Sequence, residues 1–494
     1  MIQGVDSYDV ASSSHHLSLM SLWSQLTFDK FTPVQYYGSS YLYRLVGLLG
    51  SWRYNSWLLQ WGEWLGAGLV AIVLALSPFG TSTDIGILLG AIAVYWILLT
   101  LSDTDTPAAT PIHLLVGLYW AIAAVAVAFS PVKAAAFSGW VKLTLYLAFF
   151  VLAARVLRSP RLSNWLITIL LLVALIVGAY GVRQQLVGVE QLATWNDPSS
   201  PLAQETRVYS YLGNPNLLAS YLLPPIALSI SAFFVWQGWL PKILALLMLG
   251  VNLACLYFTG SRGGWIGLIA MIGALLLLFY GWWCNYLPLF WRKWLLPIVF
   301  GGLAILFGLA LLLVEPLRLR VLSIFAGRED SSNNFRINVW AAVVDMIRDR
   351  PIIGIGPGNA AFNKIYPLYM RPRYTALSAY SILLETAVET GILGLTVLMW
   401  LIVTAISQGV RQLLQLRQQN NPQGFWMIAA IAGMVGLLAH GFVDTVWYRP
   451  EINTLWWFMV ALVASRFDVL NLQANDAEVN SPEAGESPLS PTAE

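Results

Sequence analysis

Apolar residues run along this chain in long blocks, each ended by a short polar turn. The blocks repeatedly reach the ~20 residues that a helix needs to cross a bilayer. Read by hydropathy, they give twelve candidate spans, at 57–77, 84–101, 111–130, 134–156, 163–182, 216–236, 240–258, 264–282, 295–314, 381–407, 424–442 and 451–467. Only helices or closed barrels satisfy their backbone inside lipid. The pattern therefore predicts an all-α fold, a polytopic membrane bundle of about twelve transmembrane helices. Glu63 falls in the first span and Lys142 in the fourth, where a charge is expected to face protein rather than lipid.

The same pattern divides the chain. Residues 1–56 hold no continuous apolar core and contain Asp6, Asp9, Lys30 and Arg44; they read as a cytosolic lead-in, with a surface helix around Tyr41–Leu49, and not as a signal peptide. Spans one to nine fill 57–314, a large external (periplasmic) loop fills 315–379, and the last three spans fill 380–468. Residues 469–494, rich in Pro, Ser and Glu with no basic residue, are expected to be a disordered acidic tail on the cytosolic side.

Composition agrees with the pattern. Hydrophobic residues make up 58% of the 494 and charged residues 11%, against roughly a quarter charged in soluble domains. A net charge of +2 is too small to suggest a nucleic-acid partner. The two cysteines, Cys255 and Cys284, have no disulfide or metal-ligand spacing. No metal site is expected, and with no Walker A pattern no cofactor is expected either.

Orientation follows from the short basic loops. Arg155, Arg158 and Arg161, then Arg292 and Lys293, then Arg411 and Arg417 fall on one side if both termini are cytosolic. The expected site is the inner (plasma) membrane, with the thylakoid membrane as the other option. Two long loops, Gln184–Pro215 and Glu315–Ala379, then lie outside. The second carries nine basic residues against five acidic ones. The turn YFTGSRGGWIG, with Arg262 at its centre, lies on that same side.

Within the large loop, SSNNFRINVWAAVVDMIRDRP predicts an amphipathic helix. Asn333 or Asn334 would cap it. Phe335, Val339, Ala342, Val343 and Met346 form its apolar face, and Pro351 ends it. The following GIGPGN reads either as a tight turn or as exposed amides for an anion, without the βαβ setting of a dinucleotide site. Arg183, Arg207, Arg262 and Arg336 all belong to the external side, and converging guanidiniums suit phosphate or carboxylate. Headgroup contact, or pairing with Glu385, Glu389 or Asp444, is the competing reading. Glu385 and Glu389 share a face of the tenth span; they could pair with arginines, bind a coupling cation or act as a base. Glu389, Asp444 and His440 are the candidates for any catalytic role.

Taken in order, SRGGW, FRINVWAAVVDMIRDRPIIGIGPGN and LLETAVETGILGL resemble the O-antigen ligase/polymerase superfamily of membrane proteins. GREDSSNNFRINVW, YSYLGNPNLLASYL, TALSAYS and HGFVDTVWYRPE more narrowly resemble the cyanobacterial IctB family, described as inorganic-carbon (bicarbonate) transporters. The resemblance implies one of two functions: bicarbonate accumulation or transport, or ligation or polymerisation of undecaprenyl-pyrophosphate-linked glycans at the external membrane face. Partners would be membrane lipid together with bicarbonate or the lipid-linked glycan. The superfamily's pyrophosphate-binding arginines would correspond to Arg262 and, less directly, to Arg183, Arg207 and Arg336. Its ligases carry a His-Asn pair where this chain has Tyr380 and Ser381. A phenol, with a pKa near 10, does not readily replace imidazole as a base near neutral pH.

Overall fold

A computed structural model describes residues 21–28, 46–56, 60–103, 109–190 and 207–466. Helix makes up 80% of it, with no strand among the described residues. The chain order is α1 (Gly62–Leu76), α2 (Ser82–Leu101), α3 (Pro111–Phe129), α4 (Lys133–Val156), α5 (Pro160–Val187), α6 (Pro215–Val235), α7 (Trp239–Phe258), α8 (Arg262–Trp283), α9 (Leu289–Leu313), α10 (Glu315–Phe325), α11 (Ser331–Asp349), α12 (Asn359–Ile365), α13 (Ile382–Gln418), α14 (Gly424–Gly441) and α15 (Pro450–Ala464). Ten of these are long and apolar enough to cross a membrane. Helices α1 and α15, at two further expected spans, have 15 residues each. The tail 469–494 and residues 41–45 of the expected surface helix lie outside the described residues. Leu49 is in a turn, and a six-residue helix follows at Gly50–Asn55.

Polar side chains start the helices where the sequence leaves the apolar runs. Thr81 and Asp84 cap each other's amides at the start of α2, as a capping box does. Asn214 accepts from Asn216 N at 2.8 Å to begin α6. Ser261 accepts from Gly264 N at 3.2 Å to begin α8. At α11 the cap is Asp330, which accepts from Asn333 N at 2.9 Å, and not Asn333 or Asn334. The helix therefore begins earlier than its apolar face suggests.

Burial is uneven around the bundle. Helices α6 and α14 have 83% of their spanning windows buried, and α9 has none. Helix α14 packs against both α6 and α8. The crossing is close because a Cβ on Gly267 would lie 2.8 Å from Gly436 O. A second, smaller core sits under the large loop. There Val339, Ala342, Val343 and Met346 of α11 pack on Ile355, Phe362, Tyr366 and Val388, and Phe335 lies at its edge.

The two charges expected inside spans behave differently. Glu63 meets Arg155 at 2.8 Å, and Arg155 also reaches Asp103 at 2.6 Å. Lys142, by contrast, lies on an exposed face of α4, which corrects the expectation that it faces protein.

The long helix α13 is broken at Gly391, whose φ of 68° and ψ of −169° are not helical. The segment PIIGIGPGN fills the break. Ile355 N donates to Val388 O and Gly356 N to Glu389 O, each at 2.9 Å, and Ile392 N donates to Pro351 O at 2.8 Å. Backbone groups freed by the break thus find partners inside the protein, as a membrane interior demands. Glycine is required here by contact as well as by φ. A Cβ on Gly391 would collide with Ile352 O, and one on Gly139 of α4 with Pro357 O.

Candidate anion-binding site

Arg262 is the first residue of α8, directly after the Ser261 cap, so its side chain leaves the helix N-terminus toward the large loop. Its guanidinium donates to Ser323 O at 3.0 Å and to Asn333 Oδ1 at 3.4 Å. Its Nη2 donates to both oxygens of Asp330, at 2.9 and 3.2 Å, so the two terminal nitrogens of the planar guanidinium serve different partners. One residue thereby ties α8 to the end of α10 and the start of α11.

Around Arg262 lies a cavity of about 510 Å³, lined also by Arg207, Arg320, Arg336, Asn216, Glu329 and Asp330 and closed on its apolar side by Ile266, Leu319, Ile337 and Trp340. Arg207 reaches it from the segment before α6, donating from Nε to Thr259 O at 3.0 Å and toward Asn216 Oδ1 at 3.3 Å. Arg336 comes from α11. It donates to Ser332 Oγ at 2.7 Å and lies 3.6 Å from Asp444 Oδ2, while its Nε is buried without a hydrogen-bond partner. Arg320 comes from α10. A Cβ on Gly260 would sit 3.1 Å from its NH2 and 3.5 Å from Arg207 Nε, so two guanidiniums share the space that this glycine leaves open.

Asp444 lies behind the lining. It accepts from Asn216 Nδ2 at 2.7 Å and so steadies Arg207 through Asn216 and Arg336 directly. Burial, then the guanidiniums of Arg320, Arg262 and Arg336, lower Arg207 to about 9, and Asp444 acts in the opposite direction. A guanidinium is ordinarily charged well beyond that pH; burial is the first cause of the depression and the neighbouring guanidiniums add to it.

Of the expected anion-binding residues, Arg207, Arg262 and Arg336 line this one cavity. Arg183 does not; it is exposed near the end of α5, with its guanidinium 5.7 Å from the centre of the Tyr180 ring. The residue that sequence reasoning passed over is Arg320. Helical spacing held the signal: in EPLRLRVLSIF, Arg320 shares a face with Ser323 and Ile324, on the side away from Arg318.

The remaining candidates lie outside the lining. His440 is fully buried, 2.8 Å from Ser220 Oγ, with its ring against Gly263. The glycines of GSRGG are occupied by neighbours: Gly263 by His440, Gly264 by Ala219, and Gly260 by Arg320 and Arg207. Glu389 accepts from Gly358 N at 2.8 Å, and Glu385 is buried one turn earlier. That bond, with those of Ile355 and Gly356, commits GIGPGN amides to protein acceptors; the segment is a turn that fills a helix break. Tyr380 sits beside the cavity at a φ of 50°, its carbonyl accepting from Trp340 Nε1 at 3.3 Å and its ring edge-on to Phe335. Burial, then Asp444 and Tyr448, push its phenol up to about 12, against an opposing effect of Arg336. The phenol therefore stays protonated at neutral pH.

Residues 243–399 match the family model for O-antigen ligase. This stretch is O-antigen ligase-like. It begins inside α7 and ends in α13 beyond the break, so the ligase-like region carries Arg262, Arg320, Arg336 and Tyr380. Arg207, Asn216, His440 and Asp444 lie outside it and reach the site only through the fold. No curated protein matches the chain.

Proposed function

We propose that this O-antigen ligase-like membrane protein holds the pyrophosphate of an undecaprenyl-linked glycan in the arginine cavity, as a ligase or polymerase of such glycans does. The observation that carries the reading is the convergence of four guanidiniums, from Arg207, Arg262, Arg320 and Arg336, on one cavity of about 510 Å³. Transfer of a glycan from such a carrier leaves a pyrophosphate with added negative charge. Fixed donors at that place stabilise the charge as it forms. The acceptor hydroxyl must lose a proton; among Glu389, His440 and Asp444, only Asp444 is bonded to lining residues, Asn216 and Arg336. Tyr380 is unsuited to that step because its phenol is pushed up to about 12.

The bicarbonate reading rests on the resemblance to the IctB family. A single small monoanion would engage one or two of the four guanidiniums and leave much of the cavity unused, whereas pockets of some 300–1,000 Å³ suit larger ligands.

The test is purified protein in vesicles, with undecaprenyl pyrophosphate binding and labelled bicarbonate flux measured side by side. Carrier binding weakened roughly 10- to 100-fold by Arg262→Ala is the expected result, the size of one lost charge-assisted contact. Bicarbonate flux that Arg262→Ala abolishes, with no carrier binding in the unaltered chain, would overturn the proposal.

A further inference from the structure

Helix α10 has two different faces. Leu319, Arg320, Ser323 and Ile324 turn into the cavity. Arg318, Leu322 and Phe325, at steps of four and three, are exposed on the other side. Leu322 is 58% exposed and Phe325 82%. Surface leucine and phenylalanine are common singly, but these two extend a larger surface. Helix α9, which leads straight into α10, has no buried residue along its 25. Its last two, Leu312 and Leu313, are 74% and 82% exposed. The apolar face of α10 thus continues the bare surface of a spanning helix, while Arg318 and Arg328 stand exposed beside it.

We infer that α10 lies in the leaflet on the cavity's side of the bilayer, with Leu322 and Phe325 among the acyl chains and Arg318 and Arg328 at the headgroups. An amphipathic helix binds an interface by its buried apolar area together with basic residues that face anionic lipid. Long arginine side chains reach headgroups while their stems stay in the apolar layer. Because Arg320 is on the opposite face, the same placement sets the cavity wall at the depth of lipid phosphates. A lipid-borne phosphate then reaches Arg320 without leaving the bilayer; this last step rests on the carrier reading proposed above.

Nitroxide labels on Leu322→Cys and Phe325→Cys, in a Cys284→Ser background, test the placement in vesicles of phosphatidylcholine and phosphatidylglycerol. Asp345→Cys, on the solvent side of α11, is the water-exposed control. Power-saturation EPR is expected to give greater accessibility to oxygen than to a nickel chelate at both α10 sites, and the reverse at the control. Greater nickel accessibility at the α10 sites overturns the inference. Low accessibility to both reagents overturns it too, since that marks a face covered by a second copy of the chain.

A second measurement addresses the ligand's route. Leu322→Glu with Phe325→Glu is expected to weaken binding of undecaprenyl pyrophosphate in vesicles at least tenfold and to leave binding of inorganic pyrophosphate within twofold. Equal losses for both ligands overturn the route. Failure of inorganic pyrophosphate and carrier alike to bind the unaltered chain overturns the carrier reading instead, and the EPR result still decides where α10 lies.

Discussion

Two glycine-rich stretches of this chain, SRGG and GIGPGN, look alike on paper and differ in space. In GIGPGN the glycines let the backbone press against α4 and the break in α13, and its amides are used by Val388 and Glu389. At SRGG the glycines are again filled by neighbours, yet the space beside Gly260, just before it, is taken by a pair of guanidiniums, and Arg262 projects from the turn into a cavity. Glycine richness therefore marks close approach in both. Only the side chains brought to the second stretch make it a candidate site for an anion. One region stores backbone fit, and the other stores charge.

The contrast breaks first at Gly391. Gly391→Ala adds a Cβ against Ile352 at a φ of 68°, and such strain with overpacking costs about 2–4 kcal/mol. The expected outcome is a clear fall in the melting temperature of the detergent-solubilised protein. If Gly391→Ala melts with the unaltered chain, the break is not held by this packing.

The cavity should respond in the opposite way. Arg320→Ala is expected to weaken carrier binding roughly 10-fold or more, as the loss of a charge-assisted contact does, and to shift melting much less than Gly391→Ala. A ligand titration followed by a melt separates the two. Equal damage to the fold by both substitutions would erase the distinction between fit and charge.

A smaller effect is expected from pH. Arg207 is lowered to about 9, so it carries its charge below that value and loses it above. Anion binding should be full at neutral pH and weaken as pH rises through about 9. In Arg207→Ala that step should disappear, leaving a weaker and flatter profile. The smallest effect is expected at Arg183, which stands exposed outside the cavity; Arg183→Ala should leave carrier binding within about twofold, the range of an exposed charge.

Much of the fold could be read from residues alone, because an apolar run of about 20 residues has few other uses. Each expected span has a helix at its place. The break in α13 could not be read in that way. ETGILGL is apolar enough to continue as helix, and its interruption depends on a segment forty residues earlier folding back into it. Similarly, Arg207, Arg262 and Arg336 were visible as basic residues on one side of the membrane, but Arg320 became a neighbour only once α10 turned back over Gly260. Lys142 shows the opposite case. Its sequence setting suggested a protein-facing charge, and the helix gives it an exposed position.

Asp330 performs two tasks with one carboxylate. It caps the Asn333 amide and it grips Arg262. A ligand that draws Arg262 toward itself must share or displace that carboxylate, so occupancy is coupled to the first turn of α11. Hydrogen–deuterium exchange at the Asn333 amide would then act as a reporter of the cavity's state, speeding up as the anion fills it and needing no label on the ligand.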